Sequence, residues 1–159
     1  MNKLDTKFIV KAGIIAAIYA VVTLVFSGLS YGPVQYRISE AMTILPMFIP
    51  EAIPGLAIGC FFANIAGGYG FADVVFGSLV TLGAAYLTSK VKNKYLAILP
   101  PILMNAIFVS ICVSKSNNIP YWMSVGSIGF GEFITAGILG VLLASYFEKR
   151  YNKDTVNFH

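Results

Sequence analysis

The sequence predicts an all-α, polytopic membrane protein with six transmembrane helices and both termini in the cytoplasm. Of its 159 residues, 57% are hydrophobic and only 11% are charged, whereas soluble domains carry about 25% charged residues. Several apolar runs approach the roughly 20 residues that a helix needs to cross a bilayer. These runs are continuous rather than alternating in polarity, which disfavours a transmembrane β-barrel. We therefore expect a single integral membrane domain over residues 1–159, surrounded by the lipid bilayer of the plasma membrane.

The basic residues predict the topology. They cluster in three places: Lys3, Lys7 and Lys11; Lys90, Lys92 and Lys94; Lys149, Arg150 and Lys153. Cytoplasmic loops of membrane proteins carry an excess of Lys and Arg, so an even number of helices must separate each cluster from the next. The net charge of +4 is thereby explained by topology, and we expect no nucleic-acid partner.

The predicted helices cover residues 8–27, 38–50, 52–67, 73–89, 95–113 and 124–147. No small-residue cleavage site follows the first apolar run, so an uncleaved span is favoured over a signal peptide. Residues 38–67 must cross twice to keep the middle basic cluster in the cytoplasm, with a turn at "IPEAIPG". Both of these helices are short for a span, and we expect them to be buried among their neighbours.

Polar residues from several helices fall near one depth on this topology, towards the outer side. They are Arg37, Glu40, Asn64, Asn105 and Glu132. Ionisable groups within spans are costly and by default indicate a site. Structural interpretations stay open, because amides commonly join helices in membranes. Arg37 and Glu40, three residues apart, either pair with each other on a helix or face a ligand.

Other polar and aromatic positions have simpler interpretations. Tyr36 and Trp122 lie at the outer boundary, where they form either an aromatic belt or a stacking surface for a flat ligand. Asp73 begins a helical run and is predicted to be its N-cap. Glu51 falls on a cytoplasmic turn, where we expect it to be solvated or to contact a cytoplasmic partner.

Small residues follow one face of the first helix at Ala12, Ala16 and Ala20. Such spacing lets a second helix approach closely. The partner is either another protein or an internal helix, because the same spacing recurs at Gly55, Gly59 and Ala63.

Several chemistries are missing from the sequence. There is no G-x-x-x-x-G-K-[ST] loop for ATP, and the sole histidine is His159, which leaves no His-based metal site or catalytic triad. Cys60 and Cys112 lie alone in apolar runs, as buried small hydrophobes do. We expect a protein that is not an enzyme and holds no metal or cofactor.

Two segments, "QYRISEAMTILPMFIPEAIPGLAIGCFFANI" and "DVVFGSLVTLGAAYLTSK", resemble the queuosine-precursor group of substrate-binding (S) subunits of energy-coupling factor (ECF) transporters. The resemblance runs over nearly the whole chain. It implies a six-helix S subunit that captures a 7-deazaguanine base, or queuine, at its outer face. It also implies association with a transmembrane scaffold and two cytoplasmic ATPases, with Ala12, Ala16 and Ala20 facing the scaffold.

For such a ligand, Glu132 or Glu40 is predicted to accept the paired N–H groups of the base edge, since a carboxylate strengthens both hydrogen bonds. Asn64, Asn105 and Arg37 would complete the polar set, and an aromatic ring would stack on the base; the rings available are Tyr36, Tyr121 and Trp122. The loop 27–37 would act as a lid. The alternatives are an S subunit for another vitamin and a stand-alone proton-coupled transporter with Glu132 as proton carrier. A small intramembrane enzyme is disfavoured.

Overall fold

The computed structural model describes residues 5–31, 36–68 and 70–156, with the side chains of 72, 73 and 151–156 outside the description. Within these ranges all regular structure is helical, which confirms the all-α prediction. Three helices are long and apolar enough to cross a membrane, and they comprise Thr6–Val25, Lys94–Asn117 and Tyr121–Arg150. Two shorter apolar helices accompany them, at Ala52–Ala66 and Val74–Ser89.

Helix α1 (Thr6–Val25) begins at Asp5, whose carboxylate accepts a hydrogen bond from the backbone N–H of Lys7. Only 28% of its most apolar window is buried inside the protein. Large apolar side chains such as Ile14 and Ile18 are about half exposed, as expected for a surface that faces lipid. The short helix α2 (Ser27–Ser30) follows directly.

Residues Ile38–Met47 form a 3₁₀ helix, where the sequence predicted an α-helix over 38–50. Pro46 lies inside this segment and cannot donate a backbone hydrogen bond to the preceding turn. The Thr43 hydroxyl donates to the Glu40 carbonyl oxygen at 2.6 Å, which occupies an acceptor within the helix. With about 2.0 Å of rise per residue, these ten residues are shorter than the roughly 30 Å bilayer core.

Helix α3 (Ala52–Ala66) packs alongside α1 in the same direction. A Cβ atom at Gly55 would lie 2.8 Å from the Ala12 carbonyl oxygen, and one at Gly59 would lie 2.8 Å from that of Ala16. Only glycine permits this approach. Ala12 and Ala16 are therefore buried within the chain, at 7% and 6% exposure, as the internal-packing interpretation requires.

Helix α4 (Phe71–Ser89) has Gly70 at its N-cap. Asp73 consequently lies within the first turn, and its prediction as the N-cap was wrong. The helix starts two residues earlier than predicted because the extended Gly70 backbone already ends the preceding turn.

Helices α5 (Lys94–Asn117) and α6 (Tyr121–Arg150) are antiparallel and form the second half of the bundle. Each contains a π-helical segment, at Asn105–Val109 in α5 and Phe133–Leu139 in α6. Asn118, with φ of 53°, ends α5 in the left-handed region, which asparagine tolerates better than most residues. Helical structure continues beyond α6 to Val156.

Two ion pairs lie at the end of the bundle that carries the basic clusters. Lys11 Nζ contacts Glu51 Oε1 at 3.0 Å, and Lys94 Nζ contacts Glu148 Oε2 at 2.7 Å. Glu51 is 8% exposed, so it is a buried partner of α1 rather than the solvated turn residue that the sequence predicted. Its pKa lies below the ordinary value, because a backbone N–H and Lys11 both stabilise its carboxylate.

Candidate functional site

A polar pocket opens between the 3₁₀ helix and α3 to α6, in the half of the bundle away from the two ion pairs. Twelve described residues line it: Arg37, Glu40, Asn64, Phe76, Gly77, Thr81, Asn105, Val109, Cys112, Val113, Ile128 and Glu132. The structure thus brings together five of the seven residues predicted to bind substrate. Its volume of about 30 Å³ has room for about two water molecules, so a ring-sized ligand requires the lining side chains to move apart.

Glu132 and Asn105 connect α6 to α5 across the pocket. The Asn105 Nδ2 donates to Glu132 Oε1 at 2.7 Å, and both side chains are buried, at 4% and 6% exposure respectively. Asn105 begins the π segment of α5, and Glu132 immediately precedes that of α6. Single π turns inside α-helices occur frequently at functional sites. Here they place the two facing polar residues at the points where the helical repeat changes.

Glu40 is held from the opposite side by α1. The Tyr19 hydroxyl donates to Glu40 Oε1, and both residues are essentially inaccessible to solvent. One turn further along α1, the Thr23 hydroxyl lies 2.6 Å from that of Ser39. These contacts connect α1 to the start of the 3₁₀ helix. Tyr19 was missed at the sequence level, because a tyrosine within an apolar helix looks like an ordinary packing residue.

Arg37 does not form an ion pair with Glu40, although their spacing allowed one. Its backbone is extended, with φ of −87° and ψ of 94°, so the helical three-residue spacing does not apply. Arg37 Nη1 instead donates to Cys60 Sγ at 3.7 Å, and Asn64 Nδ2 donates to the same sulfur at 3.5 Å. The Cys60 sulfur therefore accepts hydrogen bonds from two residues that line the pocket, in addition to packing as a small hydrophobic side chain.

Four buried acceptor atoms around the pocket receive no hydrogen bond from the part of the chain that the structure describes. These atoms are Glu40 Oε2, Asn64 Oδ1, Asn105 Oδ1 and Glu132 Oε2. An unpartnered buried acceptor costs about 1–3 kcal/mol, and such atoms are rare in folded proteins. Their convergence on one pocket indicates a site for a ligand, or ordered water, that presents several N–H or O–H donors.

The aromatic residues of the site differ from those predicted. Trp122 is 78% exposed and makes an edge contact with Tyr121; neither it nor Tyr36 lines the pocket. Tyr36 instead donates its backbone N–H to the carbonyl oxygen of Leu29. Phe76 on α4 is the aromatic ring in the described lining. No signal distinguished it in the sequence, because Phe76 lies in an apolar helix with other large side chains.

Gly77 keeps the wall of the pocket open beside Asn64. A Cβ atom at this position would lie 3.1 Å from Asn64 Nδ2, which is closer than ordinary contact. The predicted lid over 27–37 is described only in part, since Gly32 and Pro33 lie outside the described residues. Within the described ranges, no three side chains of the metal-binding types come together to hold an ion.

The helices and the pocket define a multi-pass integral membrane protein with a polar pocket enclosed by its helices. A family model described as QueT transporter matches residues 9–149. The chain belongs to the QueT transporter family, and it is a multi-pass protein of the cell membrane.

A curated relative gives a second comparison. The chain is 37% identical over 84 residues to the queuosine precursor transporter QueT of Lactococcus lactis subsp. cremoris (strain MG1363). This match covers 52% of the present chain and 49% of the relative, so the chain spans about half the length of the relative that it matches. No solved structure matches the chain.

Proposed function

We propose that the protein is the substrate-binding S subunit of an ECF-type importer and that it captures a queuosine precursor with a 7-deazaguanine ring. The observation that carries this proposal is the set of four unpartnered acceptors in one buried pocket. The name of the Lactococcus relative supports the substrate class. The aligned segment covers about half of each chain.

The ring chemistry fits the pocket. A 7-deazaguanine presents N–H donors at N1, at the 2-amino group and on the pyrrole nitrogen, and these suit carboxylate and amide oxygens. Glu40 and Glu132 would each accept such donors with the added strength of an ionised acceptor. Arg37 would donate to the carbonyl oxygen of the ring, and Phe76 would stack on its face.

The decisive experiment is mass spectrometry of the small molecule that co-purifies with the protein. We expect a 7-deazaguanine. A different vitamin would support another S-subunit specificity and contradict the substrate. Glu40→Gln and Glu132→Gln, made separately, should each weaken binding of the base by purified protein. Unchanged affinity in both single variants would refute the carboxylate model.

We further propose six membrane crossings with cytoplasmic termini and capture at the outer face. The two ion pairs, Lys11 with Glu51 and Lys94 with Glu148, lie at the end that the basic clusters predict to be cytoplasmic, and the pocket lies in the other half. Cysteine labelling of single-cysteine variants in intact cells would test this. Reaction of an impermeant reagent near Lys92 would contradict it.

Energy coupling in this proposal comes from a transmembrane scaffold and two cytoplasmic ATPases, which bind through α1. Because Ala12 and Ala16 are buried against α3, the small residues open to a partner are Gly13 and Ala17, one position along. Ala20 is half-buried. In this proposal the scaffold therefore contacts the exposed face of α1 that carries Gly13 and Ala17, and not the predicted face of Ala12, Ala16 and Ala20.

Substitution on this face separates the scaffold contact from folding. Ala17→Trp should abolish co-purification with the scaffold while sparing ligand binding, and Leu142→Trp on the exposed face of α6 is the matched control. Ala16→Trp should impair folding instead, because this residue packs against Gly59. Transport by the chain alone in vesicles, driven by a pH gradient, would contradict the S-subunit proposal and favour a stand-alone proton-coupled transporter.

A further inference from the structure

A second cavity lies on the lipid-facing surface of the bundle, in the groove where α3 packs against α4. Its volume of about 360 Å³ is within the range of about 300–1,000 Å³ that is usual for small-molecule pockets. The groove is lined by residues from both helices, namely Ala57, Ile58, Phe61, Phe62, Val75, Ser78, Leu79 and Leu82. None of these residues lines the polar pocket, so the groove is a separate feature of the molecule.

The groove offers a ligand mainly apolar contacts. Ser78 is the polar side chain among the lining residues, and its hydroxyl already donates to the Val74 carbonyl oxygen at 2.6 Å. Ile58, Phe62 and Leu79 are between 45% and 59% exposed, and in a membrane protein such side chains face hydrocarbon. The chemistry of the groove therefore fits the acyl chain of a lipid.

A basic and an aromatic residue continue from the groove along the same face of α4. Leu79, Leu82, Tyr86 and Lys90 follow one another at intervals of three or four residues, which places them on one face of a helix. The Lys90 ammonium lies 5.0 Å from the centroid of the Tyr86 ring, and both side chains are exposed. Tyrosine and lysine at the end of a membrane helix are typical of the level at which lipid head groups lie.

The charge at this end of α4 suits an anionic head group. Neither α5 nor the loop before it contains an acidic residue. Lys94 is paired with Glu148, whereas Lys90 and Lys92 are exposed and form no ion pair within the part of the chain that the structure describes. Lysines placed like this beside a membrane helix attract anionic lipids.

The distance from Lys90 to the groove matches the depth of one leaflet. Because a helix rises by about 1.5 Å per residue, Leu82 and Leu79 lie about 12 Å and about 17 Å from Lys90 along α4. The hydrocarbon core of a bilayer is about 30 Å thick, so one leaflet contributes about 15 Å of it. An acyl chain whose head group lies at Lys90 therefore ends in the groove.

We propose that the groove between α3 and α4 holds one acyl chain of an anionic phospholipid, whose head group binds Lys90 and Lys92. The lipid belongs to the leaflet at the end of the bundle that carries the basic clusters. This lipid site is independent of the polar pocket and of the substrate proposed for it.

Photo-crosslinking of the purified protein in phosphatidylcholine vesicles tests the proposal. The two probes are a phosphatidylglycerol and a phosphatidylcholine that carry the same diazirine near the end of the same acyl chain, and labelled peptides are identified by mass spectrometry. We expect the phosphatidylglycerol probe to label the groove residues about fivefold or more above the phosphatidylcholine probe, since each lysine at a membrane surface contributes about a factor of five.

Three results of this comparison would overturn the proposal. Equal labelling of the groove by the two probes would refute the head-group site. Labelling of the exposed face of α6 as strongly as the groove would show only the lipid that surrounds any membrane protein. A groove covered by a second copy of the chain would exclude both probes, and the groove residues would then remain unlabelled.

Variants assign the site to individual residues. Lys90→Gln should lower the ratio of phosphatidylglycerol to phosphatidylcholine labelling by about fivefold, whereas Lys115→Gln, an exposed lysine in the last turn of α5 at the other end of the bundle, should not. An equal fall in both variants would refute the role of Lys90.

Leu79→Trp places a larger side chain in the groove and should reduce its labelling by both probes several-fold. The matched control is Leu142→Trp on α6, because the two leucines are similarly exposed, at 59% and 63%. Unchanged labelling of the groove in Leu79→Trp would refute the position of the acyl chain. If either variant does not fold, the comparison of the two probes on the unmodified protein still decides for or against the lipid site.

Discussion

Gly59→Ala tests the close contact of α3 with α1, which holds Tyr19 beside the pocket. The new Cβ atom would lie 2.8 Å from both the Ala16 carbonyl oxygen and Tyr19 Cβ. Ordinary contact begins at 3.4 Å, so the two helices must separate locally by roughly 0.6 Å. A gap of this size forfeits about a quarter to a half of the dispersion energy of the contacts that it opens. Inserting a methyl group into a packed core costs about 1–3 kcal/mol.

Gly126→Ala on α6 provides the reference, because a Cβ at that position has no neighbour within 4 Å. Alanine is favoured over glycine in helices by about 1 kcal/mol, and both variants gain this term. Their difference in free energy of unfolding in detergent, measured by denaturant titration, should therefore isolate the packing cost of about 1–3 kcal/mol. If Gly59→Ala is as stable as Gly126→Ala, the close α1–α3 contact does not hold the bundle together.

Two other perturbations address the ligand network and the basic end. Tyr19→Phe keeps the ring but removes the donor to Glu40, and it should weaken binding of a 7-deazaguanine by about ten- to one-hundred-fold in calorimetry. The control is Tyr121→Phe, which loses a hydroxyl outside the pocket and should not weaken binding. Equal losses of affinity in the two variants would refute a positioning role for Tyr19. Lys11→Met should lower thermal stability slightly at neutral pH, and less so in high salt. Because the pKa of Glu51 is lowered in the folded protein, the ionised carboxylate stabilises the fold at pH values above its ordinary pKa of 4.5. This stabilisation of the fold is lost as the pH falls through the lowered pKa. The difference from the unmodified protein should therefore disappear in acid, and a difference that grows on acidification would contradict the ion pair.

The polar side of the pocket could be predicted from the sequence because its residues are expensive where they occur. Glu132 and Asn105 lie in apolar helices far from any turn. The basic clusters predicted which helix ends lie on the same side of the membrane. Such residues are retained at membrane depth when they contact one another or a ligand, and the structure brings them together.

The orientation of α1 could not be predicted, because small residues lie on two of its faces. Ala12 and Ala16 are one residue away from Gly13 and Ala17, and spacing alone cannot tell which pair faces inwards. Gly55 and Gly59 settle the matter through their close approach to Ala12 and Ala16, and that contact depends on tertiary packing.

The aromatic residues at the pocket could not be predicted from the sequence either. Phe76 and Tyr19 lie among other large side chains in apolar helices, so no local pattern distinguishes a ring at the pocket from one in lipid. Trp122 and Tyr36, in contrast, stood out by their position near the boundary, where aromatic residues are common for reasons unrelated to a ligand.

The π-helical segments let each half of α5 and α6 face its own partners. A π turn closes its hydrogen bond over one more residue than an α turn, and each residue of an α-helix advances by about 100°. If Asn105–Val109 formed an α-helical turn instead, everything beyond it would rotate by about that angle relative to the half that packs on α4. The direction in which the pocket side of α5 points is therefore determined by one wide turn, and deleting a single residue there should give a continuous α-helix whose two halves still face the same partners.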